Sequence, residues 1–176
     1  IPDDGCCTPG CTNTEDNDCD NGTVISIQPY LQSPEPFAMW ILWETEDDGE
    51  SRVTWGPTLG LEYTNTGASF SPWLSGRHVH QVHLENLEPD TLYFYQVHTQ
   101  NTASTIYHFI SPAAHDSEAP TYLVAMSDMQ RDNGNPDKFR EIIEEGVLDY
   151  LSAQWPDDDL TDLLDLVLIP GDLVDS

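Results

Sequence analysis

Positive charge is nearly missing from this sequence. Five basic residues (Arg52, Arg77, Arg131, Lys138 and Arg140) stand against 32 acidic ones, a net charge of −27. Such a chain repels polyanions, which argues against nucleic acid and against an anionic membrane surface. The acid excess reads as a solubility adaptation rather than as a dedicated binding face. Long apolar runs are missing too. The longest, Leu166 to Pro170, is a strand-length piece, far short of the roughly 20 residues of a membrane-spanning helix. A secretory leader is also missing: Ile1 opens directly in polar loop sequence, so the expectation is that any targeting segment has been removed.

Cysteine is absent beyond position 19. All four cysteines, Cys6, Cys7, Cys11 and Cys19, lie in an acidic, turn-rich stretch covering residues 1–22. Adjacent cysteines do not readily bridge each other, so Cys6 and Cys7 are expected to pair with Cys11 and Cys19. Two pairings satisfy this, and the sequence does not choose between them. Zinc is the competing reading, but the stretch lacks histidine, and thiolates among six acids are hard to ionise. Disulfides imply an oxidising, extracytoplasmic location. Asn21-Gly22-Thr23 is a glycosylation acceptor sequence. "DNDCDNG", residues 16–22, has the alternating acids of a calcium loop. Its glycine comes one residue late, however, and Ile27 stands where the bidentate glutamate belongs. A solvated acidic linker is the better account, with Ca as the alternative.

Residues 23–112 read as short strands punctuated by turns: "TVISIQPYLQ", "FAMWILWETE", "SRVTWG", "RHVHQVHLENL", "TLYFYQVHTQ" and "STIYHFIS". Phe37, Met39, Ile41 and Trp43 alternate onto one face, and Trp40, Trp43 and Trp55 are candidate core aromatics. The pattern predicts an antiparallel β sandwich. His78 and His80 share a strand face. They are read as ordinary strand histidines, with a surface zinc site as the alternative.

Residues 113–120 are small, polar and proline-bounded, as a linker would be. After them the period changes. "TYLVAM" reads as a strand buried on both faces. A helix is expected from Pro136, capped by Asn135, with a stripe of Phe139, Ile142, Ile143, Val147 and Leu151. A second strand, Leu164 to Ile169, completes a βαβ unit over residues 121–176. Two parallel strands cannot cover both their faces, so this unit is expected to be incomplete.

Both of its strands run into an acid, Asp128 and Asp172. A right-handed crossover brings two such strand ends to one edge, where ligands gather in open α/β sheets. Two converging carboxylates repel unless a cation joins them. Loop-capping aspartates are the plainer reading of the same spacing.

Resemblance sharpens both halves. "LENLEPDTLYFYQV", with Leu87, Pro89, Thr91 and Tyr93 at fixed steps, resembles the corner of a fibronectin type III domain. "AMSDMQ", followed some forty residues later by "LIPGDLVDS", resembles the first two metal motifs of the calcineurin-like metallophosphoesterases. The strand-rich segment before them resembles the N-terminal domain of purple acid phosphatases. The resemblance implies hydrolysis of phosphate esters at two divalent or Fe/Zn/Mn-type metal ions. In that pattern Asp128 ligates one metal, Asp172 bridges the two, and Gln130 stands as a weak neutral ligand where the family often has histidine. Asp175 occupies the place of the tyrosine that colours purple acid phosphatases, which favours the plain divalent-metal branch. The family's later histidine motifs are not in the sequence, so the expected partner of residues 121–176 is the remainder of their own catalytic domain. The competing reading is an extracellular structural or assembly module with a degenerate phosphatase-like remainder.

Overall fold

The computed structural model describes residues 23–72, 76–128, 134–156 and 160–171. Cys6, Cys7, Cys11, Cys19, Asn21 and the acidic loop around them lie outside the described residues, as do Gln130, Asp172 and Asp175. The chain divides into two compact units, one ending at Ser111 and the other beginning at Pro112.

The first unit is a β sandwich. One sheet has the order β1 (Ile25–Glu35), β2 (Ala38–Thr45), β6 (His78–Glu85), β5 (Ala68–Phe70). The other runs β4 (Tyr63–Thr66), β3 (Arg52–Gly56), β7 (Leu92–Thr99), with β8 (Thr102–Ala103) and β9 (Tyr107–Ile110) both pairing β7. Every pairing is antiparallel. Alternation drives the packing, because successive side chains of a strand face opposite ways. Met39, Ile41 and Trp43 of β2 meet Val82 and Leu84 of β6, Val53 and Trp55 of β3, and Tyr93, Tyr95 and Val97 of β7 in one core. Each such side chain contributes about 1.5–3 kcal/mol on burial.

Two aromatics depart from the expected pattern. Phe37 is not on the inner face. It occupies the turn between β1 and β2 and is 53% exposed, while its carbonyl accepts from Leu87 N–H. Trp40 is one step out of phase with Met39 and Ile41, so it faces outward, where it stacks on His83 at 4.5 Å.

The fibronectin-like corner forms as its residues foretell. Leu87 is buried, and Glu88 N–H donates to the Tyr93 hydroxyl at 2.9 Å. The Thr91 hydroxyl donates to Pro89 O, and Ser111 Oγ ties Glu88 O to Thr91 N–H. Asn65 links the two sheets: its amide donates to His83 O, and its oxygen accepts from Trp55 Nε1. Between β4 and β5 the chain changes sheets at Gly67. Its N–H reaches Ser51 O, and a Cβ built there would lie 1.9 Å from the Gln81 carbonyl oxygen. Only glycine permits that approach.

The second unit is a small βαβ arrangement. β10 (Leu123–Ala125) and β11 (Leu166–Leu168) pair in parallel, Leu123 with Leu166 and Ala125 with Leu168. Between them run α1 (Lys138–Glu141), a π-wound stretch (Ile142–Leu148), α2 (Asp149–Gln154) and α3 (Leu160–Leu163). Helix begins later than the proline suggested. Pro136 and Asp137 form a turn, Asp137 holds the cap position, and the Asn135 amide reaches Glu141 instead of capping. The π winding, marked by Asp149 N–H bonding back to Glu144 O, rotates the apolar stripe away from a regular period. Leu151 is buried, Ile142, Ile143 and Val147 are half-buried, and Phe139 is 48% exposed. No described helix is long and apolar enough to cross a membrane.

Candidate metal centre

The geometry at the carboxyl end of β10 and β11 follows from their register. Parallel pairing sends both strands the same way, and Met126 N–H extends the ladder to Leu168 O at 3.0 Å. Asp128 and Gly171 each stand three residues beyond the paired Ala125 and Leu168. Asp128 is exposed, and its carboxylate accepts from the Ser127 hydroxyl at 2.7 Å. Its φ of 57° is left-handed, a conformation that aspartate tolerates better than most residues. The turn lifts this carboxylate off the strand path, at the sheet edge where α/β proteins assemble their sites. An exposed carboxylate is a suitable oxygen ligand for a hard cation. Among the described residues no three histidine, cysteine, aspartate or glutamate side chains come close enough to hold a metal. Asp128 belongs to no such cluster among the described residues.

The opposite end of the strand pair is latched by Asp165, which belongs to no recognised motif. Asp165 Oδ2 accepts from Tyr122 N–H at 2.7 Å, and Asp165 N–H donates to Tyr122 O at 3.0 Å. The acid after "DLL" thus aligns the two strands at their amino ends. Sequence offered no signal for it beyond an acid before an apolar run.

His80 of β6 is structural. His80 is completely buried, stacked on Trp43 at 5.0 Å, with one ring nitrogen 2.8 Å from the Thr45 hydroxyl and the other 2.8 Å from the Ser51 hydroxyl. Thr45 spends its single hydrogen on Asp47 O, so it accepts from Nε2–H, and Nδ1 accepts from Ser51. No lone pair is left for zinc, and the surface-site alternative fails on this burial. His78 lies at the strand end, 3.1 Å from Ser71 Oγ. Burial holds the His80 imidazole below the usual histidine range, partly offset by the carboxylate of Asp48.

Comparison with known proteins agrees with this division. Residues 26–111 match the model of the purple acid phosphatase N-terminal domain. No curated protein sequence matches the chain. The solved structure of PhoD superposes with a TM-score of 0.53 at 14% identity, covering 86% of this chain and 29% of PhoD, so the chain spans under a third of that protein's length. The sensor domain of the anti-sigma factor RsgI4 from Pseudobacteroides cellulosolvens matches at 14% identity with a TM-score of 0.42. That match covers 56% of this chain and 98% of the sensor domain. With its sandwich topology, its tyrosine corner and this family match, the unit over residues 26–111 is a purple acid phosphatase-like N-terminal domain.

Proposed function

We propose that the chain is the N-terminal part of a secreted metallophosphoesterase that hydrolyses phosphate esters at a two-metal site. What carries the reading is the order of its parts: a purple acid phosphatase-like N-terminal domain, then a parallel strand pair with Asp128 turned out at its carboxyl end. Asp128 would ligate one metal, Asp172 would bridge both, and Gln130 would add a neutral oxygen. Such a metal pair, when bound, supplies an activated water and offsets the charge of the phosphate.

The surface of the second unit supports a missing complement. Parallel strands are ordinarily covered on both faces. Here Leu123, Val167 and Leu168 are 52%, 49% and 44% exposed. A cavity of about 290 Å³, lined by Tyr122, Val147, Leu151 and Trp155 among others, lies between the helix and β10. The remainder of a catalytic domain is the natural cover for these surfaces.

Turnover of a phosphomonoester by the complete protein, compared with its Asp172→Asn variant, tests the reading. Loss of the bridging charge should lower activity by orders of magnitude while leaving the sandwich folded. Unchanged turnover would make the strand-end acids structural. The secreted location rests on the clustered cysteines, for which two intramolecular disulfides are expected. Alkylation without reductant should label none of Cys6, Cys7, Cys11 and Cys19, and labelling of all four would end that part of the reading.

A further inference from the structure

A candidate site of a different kind lies at the open edge of the sandwich, within the first unit. β4 is an edge strand, and Tyr63 on it pairs directly with Trp55 of β3. The two rings lie 4.9 Å apart, and Trp55 meets Tyr93 edge-on at 5.5 Å. Trp55 and Tyr93 are buried, whereas Tyr63 is 52% exposed. The row of rings therefore ends in one aromatic face open to solvent. That face borders an open cleft of about 750 Å³, lined on its other sides by the β3–β4 connection and the corner between β6 and β7. The volume is in the range of small-ligand sites.

Charge around the cleft has one sign. Glu62, Glu85 and Glu88 line it, and no lysine or arginine does among the described residues. Donation by the Thr58 hydroxyl holds the Glu62 carboxyl below its usual range, which keeps it ionised. Glu85 is 68% exposed at its side chain, with His83 Nδ1 3.8 Å away. Phosphate and other anions are excluded by this field. A bare metal ion is excluded by spacing, since no three such ligands converge among the described residues. An organic cation fits both features, because its charge is spread over a volume that dispersed carboxylates can share and its flat face can lie on an aromatic ring. Guanidinium satisfies the two best: it stacks on tyrosine and pairs with carboxylates through its planar fork of donors.

We infer that the cleft between Tyr63 and the Glu85–Glu88 corner binds a guanidinium group, with the Tyr63 ring beneath it and the glutamates around it. The group can be free or borne on an arginine of another chain. Calorimetric titration of the 176-residue chain with N-acetyl-arginine amide, in which guanidinium is the sole charge, tests this. Saturable binding should weaken at least tenfold in Tyr63→Ala and in Glu85→Gln, and it should persist in Tyr63→Phe, which keeps the ring. The control double variant Glu46→Gln/Asp47→Asn, just past the end of β2 opposite to Glu85, should bind as the parent does. An arginine-containing tripeptide that binds tenfold tighter than the free amide would assign the group to a protein chain; equal affinity would assign it to a small molecule. Equal binding of the neutral N-acetyl-citrulline amide would overturn the inference. So would affinity that ignores Tyr63→Ala and Glu85→Gln, which is general attraction to an acidic protein, or no binding at millimolar concentration.

Discussion

His80 shows how much one residue's environment decides. In "HVHQVH" it reads like its neighbours, yet it is the one sealed between Trp43, Thr45 and Ser51. The folded sandwich disfavours its imidazolium through burial, with Asp48 acting the other way and His78 adding to the shift. The unfolded chain protonates this histidine near its ordinary value, about 6.5. Its stabilising contribution is therefore full above that pH and is lost as pH falls from there toward the depressed folded value. The thermal midpoint of the chain should drop between about pH 7 and 5, and His80→Gln should flatten that part of the profile. An unchanged slope in the variant would place the pH dependence elsewhere. The Tyr93 corner, by contrast, was readable, because its partners Leu87, Pro89 and Thr91 are fixed in local sequence. The bonds of His80 span 29 and 35 positions, and no local pattern announces them.

Elements differ in legibility for the same physical reason. β2, β6 and β7 each send alternate residues into the core, Met39, Ile41 and Trp43, then Val82 and Leu84, then Tyr93, Tyr95 and Val97, and these runs are rich in β formers, so the strands show plainly. β4 and β5, "YTNT" and "ASF", lie at sheet edges, are largely exposed and carry no such alternation. Their placement depends on the change of sheet at Gly67, where backbone meets backbone. Gly67→Ala puts a methyl group 1.9 Å from Gln81 O and 3.0 Å from Val82 Cα, neither of which is the end of a flexible side chain. The substitution should cost about 2 kcal/mol or more, read as a lower denaturant midpoint for the chain. A shift within about 0.5 kcal/mol would show that β4 and β5 rearrange freely. In the second unit, "TYLVAM" and "LVLI" announced two strands, and their parallel pairing followed from the helix between them. The π winding over Ile142–Leu148 did not, since the sequence there carries ordinary helix formers around Gly146.

At the scale of the molecule, the two units differ in how much apolar surface each one buries. The sandwich closes its core with twelve buried residues from both sheets and the corner. Among its described residues the βαβ unit leaves apolar strand residues exposed and buries one helical leucine, Leu151. The acid excess, −27 over the chain, keeps its reading as a solubility adaptation, and Asp128 is exposed beyond the carboxyl end of β10. The position of Asp128 just past a strand end was legible, because a strand's apolar run points to where its tip emerges, whereas Asp172 lies outside the described residues. The guanidinium cleft was not legible, because Tyr63, Glu62 and Glu85 are brought together only by the sandwich edge. The account's central claim is a two-metal centre in the complete protein. Metal analysis of that protein, purified without chelator and measured by elemental mass spectrometry, tests it most directly. Two transition-metal ions per chain, falling below one in Asp172→Asn, is the result predicted; a metal-free protein, or full occupancy that survives Asp172→Asn, would contradict it.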